Sequence, residues 1–128
     1  MKELNLKAFV ASYLLTAAWV TVDSRYECEK FTKLAQEQAK EDCLEFIRLV
    51  KERFGEEKGL ELLTIEGNDL SYLAPHDFWL TRNGHGAGFW DKEEKYGEAE
   101  AVILTEICEE IGVCECYHIR GPKSRLTF

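Results

Sequence analysis

The stretch that decides the fold is His76-Asp77-Phe78-Trp79-Leu80-Thr81-Arg82-Asn83-Gly84-His85-Gly86-Ala87-Gly88-Phe89-Trp90-Asp91. It reads as a β-hairpin with strands over 77–83 and 87–91. Phe78, Trp79, Leu80 and Thr81 are strand-forming types, and Phe89 and Trp90 answer them after a turn. Asn83-Gly84 is the strongest short hairpin signal, because the favoured tight turn needs positive φ at both central positions.

Upstream of this segment the periodicity is helical. Leu6, Phe9, Val10, Tyr13, Leu14 and Ala17 recur at the spacing of one buried helical stripe. Asp23 and Ser24 offer N-caps for a second helix over about 27–54. Its stripe is Phe31, Leu34, Ala35, Ala39, Cys43, Phe46, Ile47, Val50 and Phe54, with Gly55 as the stop. Leu60, Leu62, Leu63 and Ile65 suit a short strand or a helical turn. Gly67-Asn68-Asp69 marks a break, Asp69 caps a short turn through Leu73, and Pro75 ends it.

Downstream, 93–111 reads as a third helix on Leu104, Ile107, Cys108 and Ile111, closed by Gly112. Seven acids and one Lys give that helix −6, most of the charge of the chain. Val113–Ile119 reads as a strand with Val113, Tyr117 and Ile119 on one face. Gly121-Pro122-Lys123 turns it into a last strand over 126–128. The expected fold class is therefore α+β in a single domain, 1–128. Two N-terminal helices lead to a β-hairpin, a helix and a C-terminal hairpin, forming a small antiparallel sheet with helices on one face.

Composition narrows the function. The 128 residues carry 24 Asp+Glu against 16 Lys+Arg, net −8, with 45% hydrophobic and 12% aromatic residues. That is enough apolar mass for a core. An acidic chain with no basic run is poorly suited to wrapping nucleic-acid phosphates. No apolar run reaches the roughly 20 residues of a membrane span. Ala8–Val22 mimics a signal-peptide core, but it lacks a small-residue cleavage site and is diluted by Tyr13, Trp19 and hydroxyl residues, so it is expected to be a core helix. The odd set Cys28, Cys43, Cys108, Cys114 and Cys116 reads as reduced thiols.

The 76–91 segment resembles the signature of a family of small proteins encoded by bacteriophages, prophages and other mobile elements. The resemblance is specific over those 16 residues and extends more loosely along most of the chain. It includes an N-terminal helix ending in a Trp, here Trp19-Val20-Thr21-Val22-Asp23-Ser24, and an Asp-Cys-x-x-Phe segment, here Asp42-Cys43-Leu44-Glu45-Phe46. Ala74-Pro75-His76 departs from the family's usual Ala-Gly-His. The resemblance implies a viral or prophage origin and action in the host bacterial cytoplasm. It implies no known activity.

The chemistry of the segment leaves several readings open. In one, the glycines and aromatics are purely architectural. In the favoured functional reading, Trp79, Arg82, Asn83, Gly84, His85, Gly86, Gly88, Trp90 and Asp91 form a binding surface at an exposed hairpin tip. Open glycine amides, an Arg fork and aromatic faces suit a small phosphorylated or nucleotide-like ligand, or a host protein. On that reading Arg82 and His85 contribute little to stability. The segment is neither a P-loop nor a dinucleotide fingerprint. A catalytic reading pairs His76 or His85 with Asp77 or Asp91, as in a small hydrolase or transferase, but no nucleophile is identifiable. A metal reading on Cys108, Cys114, Cys116 and His118 fails on spacing. Same-face strand residues sit about 6.6–6.8 Å apart and do not converge on one ion. The resulting expectation is an accessory protein that acts by binding, an anti-defence or host-takeover factor, without cofactor or metal. A virion or assembly component is the third alternative.

Overall fold

The computed structural model describes residues 3–22, 31–67, 71–85, 88–119 and 125–128. The helices are α1 (Leu6–Val22), α2 (Lys33–Phe54), α3 (Glu56–Leu63), α4 (Ala74–Arg82), α5 (Glu93–Tyr96) and α6 (Glu98–Ile111). A 3-10 turn, Phe89–Asp91, precedes α5. The strands are β1 (Tyr117–Ile119) and β2 (Arg125–Thr127), an antiparallel pair with His118 opposite Leu126. The fold is helical, and the expected α+β class with hairpins forming a sheet is overturned.

The decisive correction is at 76–91. The Phe78-Trp79-Leu80-Thr81 run is helix α4, not a strand. Pro75 sits in the first turn, where its missing N–H costs nothing and its φ is already helical, so it begins an element instead of ending one. Asn83 has φ −101° and only Gly84 has positive φ, +69°, so the two-residue hairpin turn is not formed. Gly84 instead closes the helix. Its N–H donates to Thr81 O at 3.2 Å and the His85 N–H to Leu80 O at 2.9 Å, the paired bonds of a Schellman C-cap. The chain then returns to the helix that it has just left. The Phe89 N–H donates to Thr81 Oγ1 at 3.0 Å. Gly88 is pressed between that hydroxyl and the Trp90 ring, so a Cβ there has no room.

Helix α2 begins later than the sequence suggests. Thr32 is its N-cap, with Oγ1 accepting from the Ala35 N–H at 3.1 Å. Asp23 and Ser24, the expected caps, lie outside the described residues. Ala35, Ala39, Cys43, Phe46, Ile47 and Val50 are buried as the stripe requires, and Leu49 joins them. Leu34 is 77% exposed and Phe31 lies ahead of the helix, bridged to Leu126. The expected third helix breaks at Gly97, φ +108°, into α5 and α6. The expected strand over Val113–Ile119 is shorter, Tyr117–Ile119, so Val113 lies ahead of it, and Val113 and Tyr117 are 70% and 55% exposed.

The core is aromatic. Phe46 stacks on Phe78 at 4.3 Å between centroids and 11° between planes, and lies 5.9 Å from Phe89. Tyr13 meets Trp79 edge-on at 5.4 Å. Helices α1, α2, α4 and α6 converge on this cluster, with Leu126 of β2 closing one side. No helix among the described residues is long and apolar enough to cross a membrane.

Candidate functional site

Helix α4 is buried nearly all round, so its polar side chains need interior partners. Arg82 is the strongest case. Its side chain is 4% exposed and its fork is divided among three elements. Nε donates to Gly112 O, the C-cap of α6, at 2.7 Å. Nη1 donates to Tyr13 Oη of α1 at 2.8 Å and to Asp42 Oδ2 of α2 at 2.7 Å. The guanidinium carbon stands 5.2 Å from the Phe78 ring centroid. Gln38 Nε2 donates to Asp42 Oδ1 at 2.8 Å, so both oxygens of that carboxylate are engaged. Nη2 of Arg82 has no acceptor among the described residues. Burial works against the Arg82 cation, but Tyr13 and Asp42 hold its pKa above the ordinary value. Burial likewise pushes the Tyr13 phenol well above its usual range.

Asn83 continues the arrangement. Its Nδ2 donates to Trp79 O at 3.1 Å, and its Oδ1 accepts the Cys114 N–H at 2.8 Å. Arg82 and Asn83 thus staple residues 112–114 to the end of α4. The stapled segment walls a pocket of about 630 Å³ between α2, α4 and the α6 terminus. Asp42, Gln38, Arg82 and Thr127 are among its polar lining, with Leu34, Val113 and Phe128 among the apolar residues. A pocket of roughly 300–1,000 Å³ suits a small molecule. Burial raises the pKa of the Cys114 thiol on its wall against the pull of Arg82, so Cys114 is not an activated nucleophile.

The first turn of α4 carries a second polar cluster. Asp77 is fully buried, with Oδ1 2.5 Å from Lys92 Nζ and Oδ2 accepting from Tyr96 Oη at 2.7 Å. Burial raises the Asp77 pKa, while the Lys92 and Tyr96 hydrogen bonds pull it down. His76 Nδ1 lies 3.0 Å from Thr16 Oγ1. Because the Thr16 hydroxyl spends its proton on Ser12 O at 2.9 Å, His76 donates here through Nδ1–H. His76, Thr16, Trp19 and Lys92 line a cleft of about 460 Å³. Both Asp77 oxygens serve Lys92 and Tyr96, so Asp77 stands as a framework anion for the turn after α4.

The residues expected at one exposed hairpin tip are distributed through the molecule. Arg82 lines the pocket, and Asn83 beside it accepts the backbone N–H of the pocket residue Cys114. Trp79 is buried in the core, with its indole N–H lacking an acceptor among the described residues. Gly84 is exposed in the Schellman turn, His85 is exposed beyond it, and Gly86 lies outside the described residues. Gly88 is buried, while Trp90, 41% exposed, and Asp91 are on the surface. Arg82 is an interior anchor, not a tip residue.

Sequence reasoning missed Tyr13, Asp42 and Gly112 as Arg82 partners, and Gln38 as the partner of Asp42. The residues that answer Arg82 lie 30 to 69 positions away in the chain, so no local spacing signalled them. Asp42 pairs with Arg82 and Phe46 stacks on Phe78, so Asp42-Cys43-Leu44-Glu45-Phe46 docks on the 76–91 segment. Cys43, Cys108, Cys114 and Cys116 are free thiols, and Cys28 lies outside the described residues. Among the described residues no three His, Cys, Asp or Glu side chains are placed to hold a metal ion.

No protein-family model, no curated protein and no solved structure matches the chain.

Proposed function

We propose that this protein acts by binding, and that its ligand site is the pocket over Arg82 and Asp42. The observation that carries this is the Arg82 guanidinium. It is almost wholly buried, it lines the pocket, and its Nη2 has no acceptor among the described residues. Trp79 Nε1, not Arg82 Nη2, is the sealed donor without a partner among the described residues, so Nη2 is open to the pocket, where an entering ligand oxygen can accept its charge-assisted hydrogen bond.

The ligand chemistry follows from the floor and the rim. Asp42 neutralises Arg82, so the floor favours a carbonyl oxygen over a phosphate. Leu34 and Val113 are 77% and 70% exposed at the rim, and they favour an apolar or planar body beside that oxygen. A nucleobase-like heterocycle satisfies both demands. Host-takeover or anti-defence action in a bacterial cytoplasm is the cellular setting we attach to this binding; it rests on the mobile-element resemblance of residues 76–91.

The test is a fragment titration followed by ¹⁵N NMR on the Arg82 side chain, with uracil and benzamide as carbonyl-bearing planar probes. The probes should shift the Arg82 Nε–H signal and the Val113 and Cys114 amides. Val113→Glu, at an exposed position, should abolish the shifts without unfolding the protein. If neither probe moves these signals, the pocket is not the binding site.

A further inference from the structure

The face of α1 and α2 opposite the Arg82 pocket carries a feature that the ligand reading leaves unused. A groove of about 480 Å³ runs between the two helices. Leu6, Val10 and Leu14 of α1, one helical turn apart from each other, form its apolar side. Lys7 stands on the α1 rim and Lys33 and Lys40 on the α2 rim. All three lysines are exposed, and among the described residues none has a carboxylate within ion-pair distance. Glu37 is the single acid in the lining, so the groove is net cationic on a chain of net charge −8.

We infer that this groove docks an amphipathic helix of a partner protein whose apolar stripe is flanked by acidic residues. The apolar strip, repeating at one helical turn, matches residues at i, i+4 and i+7 of a helix laid along it. The lysine rim supplies the complementary charge, which sets orientation and on-rate and disfavours a basic partner. Concavity separates this occupant from an anionic membrane, because a bilayer takes a helix that protrudes and not a furrow between two helices. The apolar floor separates it from nucleic acid, whose backbone offers nothing to bury there.

The experiment uses the full chain and two labelled synthetic helical peptides read by fluorescence anisotropy. One has Leu at i, i+4 and i+7 flanked by Glu, and the other has Lys in place of every Glu. The acidic peptide should bind about tenfold or more tightly than its lysine counterpart, a difference of roughly 1.4 kcal/mol or more. Its affinity should fall with added salt. Lys33→Glu/Lys40→Glu should reverse the preference. Val113→Glu should leave it intact, which keeps this result separate from the Arg82 pocket. The inference is overturned if the acidic peptide fails to bind or the two peptides bind alike. It is equally overturned if the lysine substitutions have no effect, or if phosphatidylserine vesicles bind and the acidic peptide does not.

Discussion

Replacing Arg82 by Ala is the sharpest perturbation of this fold, and its cost can be worked from the geometry. The side chain makes three hydrogen bonds of 2.7, 2.8 and 2.7 Å to Gly112, Tyr13 and Asp42 on three different helices or their caps. Its removal leaves the Tyr13 hydroxyl, the Gly112 carbonyl and one Asp42 oxygen without that donor. Breaking a buried ion pair by removing one member costs about 3–5 kcal/mol, because the other charge stays desolvated. Asp42 is 16% exposed and keeps Gln38, so it regains some water, which places the expected loss near the lower end, about 3 kcal/mol. In a chain of this size that lowers Tm by about 10–15 °C. Urea unfolding followed by circular dichroism measures the loss. A double-mutant cycle with Asp42→Ala then isolates the pair and should give a coupling above about 1 kcal/mol. Arg82→Lys keeps the charge but not the fork, and should recover only part of the loss. A loss under about 1 kcal/mol for Arg82→Ala, of the size expected for surface positions, would refute the interior-anchor reading.

Other expectations follow from individual contacts. Phe46 is fully buried and stacked on Phe78, so Phe46→Ala should cost about 3–5 kcal/mol in the same unfolding assay. Gly88→Ala should destabilise markedly, since its Cβ meets Thr81 Oγ1 and the Trp90 ring, whereas His85→Ala at an exposed position should stay within about 0.5 kcal/mol. The raised Asp77 pKa sets a pH trend. Between the unfolded carboxyl value, about 3.9, and the higher folded value, the folded chain binds the extra proton. The contribution of this group is therefore greatest below the unfolded value and is lost as pH rises through the folded one. Stability curves of wild type and Asp77→Asn should differ by that downward slope, and parallel curves would show that burial does not govern Asp77.

The sequence by itself determined the helices that have one dry side. The stripes of α1 and α2 are legible because one face meets the core and the other meets water, which writes a 3.6-residue period into Phe9, Tyr13 and Ala17 and into Ala39, Cys43, Phe46 and Val50. Glycine stops are legible for a similarly local reason, since Gly55 and Gly112 hold positive φ at helix ends. Only the tertiary structure decided the 76–91 segment. Helix α4 is enclosed on nearly every side, so it has no polar face to set a period, and its Phe-Trp-Leu-Thr run carries strand-forming residues. Asn83-Gly84 is compatible with a hairpin turn or a helix cap, and distant partners settle the choice. Asp42, Tyr13 and Gly112 hold Arg82, and Lys92 and Tyr96 hold Asp77, and together these bonds fix α4 as a buried helix. The same long-range pairing turned Arg82 from an expected tip residue into the floor of a pocket, because a buried guanidinium takes its place from the acceptors that surround it and no local spacing records where those acceptors lie.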